Sequence, residues 1–215
     1  MGISTATGID IGLNRAEPLR RAARSLRMPT TDRSNSVQLH AQLLEDFLAG
    51  RDAAFDPIYA EYNQRIFAYV SRMIFDEEAA QDIAHQVWEK VILQRANTDR
   101  ERVLNVRAYL FTLAKNLALD HLRRVKKFAG VEDAEHLEAE THSMDDKALV
   151  VEALKRLPEE TREILVLNYY CGYSFEEIAE MLGKKPSAIW TRASRARASM
   201  KTMLEKMTNF ERSGR

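Results

Sequence analysis

From Val37 onward the apolar positions recur at helical spacing. Leu39, Leu43, Leu44, Phe47 and Leu48 are read as one stripe, which Gly50 ends. A second helix is expected through Phe55, Ile58, Tyr59, Tyr62, Ile66, Phe67, Val70 and Ile74. A third lies in "FDEEAAQDIAHQVWEKVIL", with Ile83, Ala84, Val87, Trp88 and Val91 inward, and a fourth in "NVRAYLFTLAKNLALDHLRRVKK". Ala, Leu, Lys and Arg dominate these stretches, and no alternating apolar and polar run of strand length occurs, so an all-α chain is expected. A second set of helices starts near Ala148, with breaks expected at Leu157-Pro158, Gly172 and Gly183. Between the two sets, residues 128–147, "FAGVEDAEHLEAETHSMDDK", are acidic and poor in large apolar side chains. They predict a flexible linker between two small helical domains, residues 37–127 and 148–204. Residues 1–36 sustain no apolar period and are expected to be disordered; residues 205–215 are read as a tail.

The last two helices carry the most pointed local signals. Ser174 and Glu177 have the spacing of a capping box, and Phe175, Ile178, Ala179 and Leu182 form one apolar stripe behind it. Gly183 permits a turn, and Pro186 suits the first turn of a following helix. In that second helix Ile189, Ala193, Ala196 and Met200 are expected inward. Trp190, Thr191, Arg192, Ser194, Arg195, Arg197 and Lys201 are left on or beside the outer face. A narrow helix with small hydroxyls and arginines outside fits a DNA major groove and its flanking phosphates, whereas a generic amphipathic hairpin is the plainer alternative. Trp190 either packs on thymine methyls or sugar, or lies half-buried against the neighbouring helix.

Charge sharpens this picture. The 215 residues carry 32 Lys and Arg against 32 Asp and Glu, a net charge of zero that conceals strong blocks. Residues 100–127 hold 8 basic against 2 acidic residues and residues 184–215 hold 9 against 2, while residues 37–99, 128–147 and 148–183 are net acidic. Two basic zones on one chain suggest two contacts with a polyanion, since clustered Lys and Arg gain affinity by displacing phosphate counterions. In the first zone Asn116, Asp120, Arg123 and Arg124 share a face, with Tyr109 and Phe111 one or two turns earlier. Aromatic rings among bases are what holding unstacked nucleotides requires, although both rings suit the core equally and Phe111 is assigned there.

Other chemistries find little support. A composition of 45% hydrophobic and 30% charged residues suits one or two soluble domains, and the absence of a long apolar run or secretory core leads to an expected cytoplasmic location. Cys171 has no internal disulfide partner and reads as buried filler; the five histidines show no ligand spacing, so neither metal nor cofactor is expected. Glu159-Glu160 and Glu176-Glu177 stand at helix starts, where carboxylates complement the dipole, and are read as caps and not as an acid/base pair. No enzymatic activity is expected.

At this point "AAQDIAHQVWEKV", "NVRAYLFTLAKNLALDHLRR", "LKRLPEETREILVLNYYCGYSFEEIAEMLG" and "TRASRARASM" resemble, in order and spacing, the second and fourth conserved regions of bacterial sigma factors of the extracytoplasmic-function group. The resemblance implies a promoter-specificity subunit that joins core RNA polymerase and performs no bond chemistry itself. It implies a region 2 bundle in residues 37–127 and a region 4 helix-turn-helix in residues 148–204. Glu77, Glu78, Asp82, Gln86 and Trp88 would dock on the coiled-coil of the largest polymerase subunit, and region 4 on the flap of the second-largest. Tyr109, Lys115, Asn116, Asp120, Arg123, Arg124 and Lys127 would capture the melted non-template strand of the −10 element. Lys185, Ser187, Trp190, Thr191, Arg192, Ser194, Arg195 and Arg197 would read the double-stranded −35 element. An anti-sigma factor is an implied further partner. Gln81 and Gln86 stand where the family usually has acids and His85 where it usually has glutamine, while Ser187, Ala188 and Trp190 replace the commoner glycine, threonine and basic residue. The competing reading is a helix-turn-helix regulator that acts on promoters without joining the polymerase. The pairing of an acidic docking helix with a basic, aromatic strand-capturing helix argues against it.

Overall fold

A computed structural model describes residues 33–96, 103–129 and 146–213. These form eight α-helices: α1 Arg33–Leu48, α2 Phe55–Ile74, α3 Glu77–Leu93, α4 Val106–Ala129, α5 Asp146–Lys155, α6 Glu159–Tyr169, α7 Phe175–Met181 and α8 Pro186–Ser213. Short 3-10 turns at Asp52–Ala54 and Gln94–Ala96 complete the order, and no strand occurs among the described residues. Helix α1 already begins at Arg33, ahead of Val37, and α8 continues through Ser213 into the segment read as a tail. Of the disorder expected for residues 1–36 and the linker expected over residues 128–147, residues 1–32 and 130–145 lie outside the described residues, while residues 33–36, 128–129 and 146–147 are helical.

Helices α1 to α4 pack around the stripes read from the sequence. Leu44, Ile58, Ile66, Tyr69, Val70, Val87 and Leu110 are essentially inaccessible, and burying each such side chain contributes about 1.5–3 kcal/mol. Leu39 departs from the expectation: it is 57% exposed, because the inward row of α1 is Ala41, Leu44 and Leu48, from which Leu39 is rotated away. The boundary between α2 and α3 is set by Phe75, a non-glycine residue with φ of 58°, followed by Asp76, whose carboxylate accepts from the Ala79 N–H at 2.9 Å. The left-handed conformation at Phe75 costs about 1–3 kcal/mol. It places the ring between Arg162 and Lys155, at 5.0 Å and 5.4 Å.

The second set does not form an independent core. Ile164, Val166, Leu167, Cys171, Tyr173, Ile178, Ala179, Ile189 and Ala193 belong to the same apolar cluster as α1 to α4. Leu154, Leu157, Leu165, Ala196 and Met200 make a smaller cluster between α5, α6 and α8. Phe111 stands at the junction, its ring 5.3 Å from Tyr69 on one side and 5.3 Å from Tyr173 on the other, both edge-on. Its assignment to the core therefore holds, as does that of Cys171. The cysteine is fully buried, its Sγ donates to the Arg65 carbonyl at 3.5 Å, and burial pushes its thiol pKa up.

Candidate nucleic-acid interface

The helix-turn-helix is built as its local signals require. Ser174 Oγ accepts from the Glu177 N–H at 3.2 Å and a Glu177 carboxylate oxygen accepts from the Ser174 N–H at 2.8 Å, the reciprocal pair that starts α7. Gly183, with φ of 61°, makes the turn at low conformational cost, and Pro186 opens α8. Ile189, Ala193, Ala196 and Met200 point inward at 5% exposure or less, so the opposite face of α8 is free of core duty. Lys185, Ser187, Trp190, Thr191, Arg192, Ser194, Arg195 and Arg197 are all exposed on it or on its flanks.

These side chains are not equivalent. Inward residues fix the centre of the outer face at Ser187, Thr191 and Ser194, and the Thr191 hydroxyl donates back to the Ser187 carbonyl at 2.9 Å. On the flank toward α6, Arg192 pairs with Glu160, which also accepts from Lys184 Nζ at 3.1 Å; the two cations hold the Glu160 carboxyl below its ordinary pKa. On the flank toward α7, Trp190 stands edge-on to Phe175 at 5.3 Å, and the Arg197 guanidinium lies over both rings. Trp190 is 52% exposed, so its neighbouring-helix contact leaves half of the indole in solvent.

Helix α4 carries the other basic face. Asn105 starts it by accepting the Ala108 N–H at 3.0 Å. Asn116, Asp120, Arg123, Arg124 and Lys127 are exposed, with Arg123 donating to Asp120 at 3.0 Å, an exposed pair worth less than about 1 kcal/mol. Tyr109 is half-buried, and desolvation raises its phenol pKa. Lys115 is half-buried: its ammonium donates at 2.7 Å to Glu163 on α6, a carboxylate only 3% exposed that also accepts from Tyr69 at 3.0 Å.

Glu160 and Glu163, one turn apart on α6, thus engage a cation from each basic element. The sequence reading treated Glu160 as a cap and gave Glu163 no role. A carboxylate inside the apolar run "REILVL" was the available signal, because an inward acid demands partners. Further polar ties join the helix sets: Arg107 on α4 pairs with Glu177, Asn105 donates to Glu180 at 2.7 Å, and Arg162 donates to the Met73 carbonyl at 2.9 Å.

On α3 the acidic residues Glu77, Glu78 and Asp82 are exposed and Gln86 is half-buried. Trp88 is buried, its indole N–H donating to Asn63 at 2.9 Å and its ring packed on Phe55 and Tyr59, so it braces this face from within. Glu77, Glu78, Gln81 and His85 line a shallow cleft whose opposite wall is Tyr59, Asn63, Gln64 and Phe67 of α2. Among the described residues no group of acidic, histidine or cysteine side chains is arranged to hold a metal ion, and no helix is long and apolar enough to cross a membrane.

Comparison with known proteins adds a separate line of evidence. The family model for Sigma-70 region 2 matches residues 58–128 and that for Sigma-70, region 4 matches residues 147–200, together more than half of the chain. The chain is 29% identical over 167 residues to RNA polymerase sigma factor CarQ of Myxococcus xanthus, covering 75% of this chain and 95% of that one. It is 27% identical over 187 residues to ECF RNA polymerase sigma factor BldN of Streptomyces coelicolor, covering 83% and 70%. Among solved structures, CnrH in complex with the cytosolic domain of CnrY aligns with a TM-score of 0.59 at 22% identity, over 78% of this chain and 98% of that one. The sigma factor RpoE in complex with the anti-sigma factor NepR from Bartonella quintana aligns with a TM-score of 0.55 at 22% identity, over 70% and 96%. At these identities the structural likeness establishes a shared fold.

Proposed function

This chain belongs to the sigma-70 family, and on that premise we propose that its two basic elements divide promoter recognition between them, α8 taking paired DNA and the exposed face of α4 taking the melted strand. The chain is a sigma factor of the extracytoplasmic-function group: it joins core RNA polymerase and directs promoter-specific initiation. It forms and breaks no covalent bond itself, and it works in the cytoplasm, where the polymerase is.

The chemistry of the two elements differs as their targets do. Paired DNA presents base edges in a groove that admits one helix, and the exposed row Ser187, Thr191, Ser194 and Arg195 offers the hydroxyl and guanidinium groups that read such edges. Melted DNA presents unstacked bases and phosphates, which Asn116, Arg123, Arg124 and Lys127 would meet with charge and Tyr109 with a ring. Opening the duplex costs a few kcal/mol per unstacked step, so binding must favour the exposed strand. Acidic α3, with Glu77, Glu78 and Asp82 outward, supplies a surface for a basic partner, which we assign to the polymerase. By analogy with the sigma factor solved with its anti-sigma factor, an antagonist protein is a further partner.

The observation that supports this reading is the match of both family regions on one chain, each of which includes a helix with an exposed basic face. A regulator that acts without polymerase needs only one of them. The test is assembly on an open promoter: core polymerase and the full chain together should protect both elements in footprinting and leave the downstream one reactive to single-strand probes. Equal protection by the chain alone would favour the regulator.

A further inference from the structure

Two of the three arginines in the first four turns of α8 are engaged within the protein. Arg192 is on Glu160, and Arg197 lies 5.8 Å from the Trp190 ring and 5.9 Å from Phe175. Arg195 makes no such contact among the described residues. Guanine is read in the major groove chiefly by a free guanidinium that bonds O6 and N7 together. Thymine is distinguished instead by its C5 methyl, which calls for an apolar surface. Helix α8 offers that surface in an unusual form: an indole 52% exposed, on the flank next to the hydroxyl row of Ser187, Thr191 and Ser194.

The indole already has partners within the protein. Phe175 on α7 meets it at 62° and 5.3 Å, and Arg197, two turns further along α8, caps both rings. A large side chain held in advance loses little rotamer freedom on binding. We propose that Trp190 reads a thymine methyl in the −35 duplex, with Phe175 and Arg197 as positioning residues that aim the ring. The inference rests on the reading of α8 as the duplex-reading helix, and it names the base chemistry that this helix selects.

The test uses holoenzyme assembled from the full chain and core polymerase. Initiating sequences are selected from a promoter library randomised across both elements. Each thymine of the selected −35 element is then replaced by deoxyuridine, which lacks only the methyl group. At one position the replacement should lower initiation roughly five- to tenfold, the scale of a good base contact. With Trp190→Ala the selected sequences should lose thymine there, and thymine and deoxyuridine templates should initiate equally. Arg197→Gln should shrink the ratio between the two templates, while Arg197→Lys, which keeps a cation over the rings, should restore part of it. Because Trp190 is half in solvent, the Ala variant should keep wild-type helix content, and the deoxyuridine result on the unaltered protein needs no variant at all.

If no position is sensitive to deoxyuridine, or if Trp190→Ala lowers initiation equally on every template, the ring serves the sugar-phosphate backbone or the scaffold and the proposal fails. If the wild-type holoenzyme initiates from no library member, the reading of α8 beneath it fails first.

Discussion

Lys115 on α4 donates across 2.7 Å to Glu163 on α6, a carboxylate 3% exposed that a second helix, through Tyr69, also satisfies. The pair ties a lysine of α4 to the buried face of α6. Removing Glu163 takes the shared acceptor from the buried Tyr69 hydroxyl as well as from Lys115. Glu163→Ala should therefore lower the free energy of unfolding by about 1–3 kcal/mol. Lys115→Met, whose parent side chain is 30% exposed, should cost less. Urea unfolding checks both, and equal stability of Glu163→Ala and wild type would contradict the assignment.

Glu160 holds Lys184 and Arg192 at the N-terminal end of α8 while standing 59% exposed. Glu160→Gln should release both cations at the small cost of one carboxylate in the first turn of α6. Duplex binding should tighten several-fold at low salt, with the slope of log K against log salt steeper by about one unit. A salt titration by fluorescence anisotropy reads the slope. Weaker binding would show instead that the carboxylate orients Arg192 for DNA.

Arg195 is the outward arginine of α8 with no partner among the described residues. Arg195→Ala should weaken binding of holoenzyme to −35 DNA by about 1–3 kcal/mol if the guanidinium meets a base edge. Competition with duplexes altered one base at a time separates a base contact from a phosphate contact, since only the former changes the ranking of sequences.

His40 bonds the Tyr62 hydroxyl at 2.8 Å, and burial lowers its pKa below the ordinary 6.5. The folded state thus binds fewer protons than the unfolded one just below that value. The stabilisation is complete above pH 6.5 and is lost as pH falls through the depressed pKa. Thermal unfolding followed between about pH 7 and 5 should show stability falling over that window, and His40→Asn should flatten the profile. An unchanged slope in the variant would assign the dependence to other groups.

Periodicity made the helices legible: the inward sets of α2, α3 and α8 were readable because each repeats every three or four residues over several turns. The capping box at Ser174 and the turn at Gly183 were equally plain, since both are local. Leu39 was misplaced because one apolar residue at a helix start satisfies a loose spacing without lying on the packed row. The union of the two helix sets into one apolar cluster was not legible. It depends on Tyr69 meeting Glu163 and Arg162 meeting Met73, residues 94 and 89 positions apart, which leave no mark on local spacing. At the candidate interface the outward residues were found by elimination, but their neighbours were not: that Arg192 turns to Glu160 and Arg197 to Trp190 is settled by α6 and α7.

The central claim is tested most directly by transcription in vitro with purified core polymerase, with start sites mapped by sequencing the 5′ ends of the products. Adding the chain should create defined starts a fixed distance from paired −35 and −10 elements, and Asp82→Arg on acidic α3 should abolish them by weakening assembly with the core. Starts that are the same with and without the chain would contradict the account.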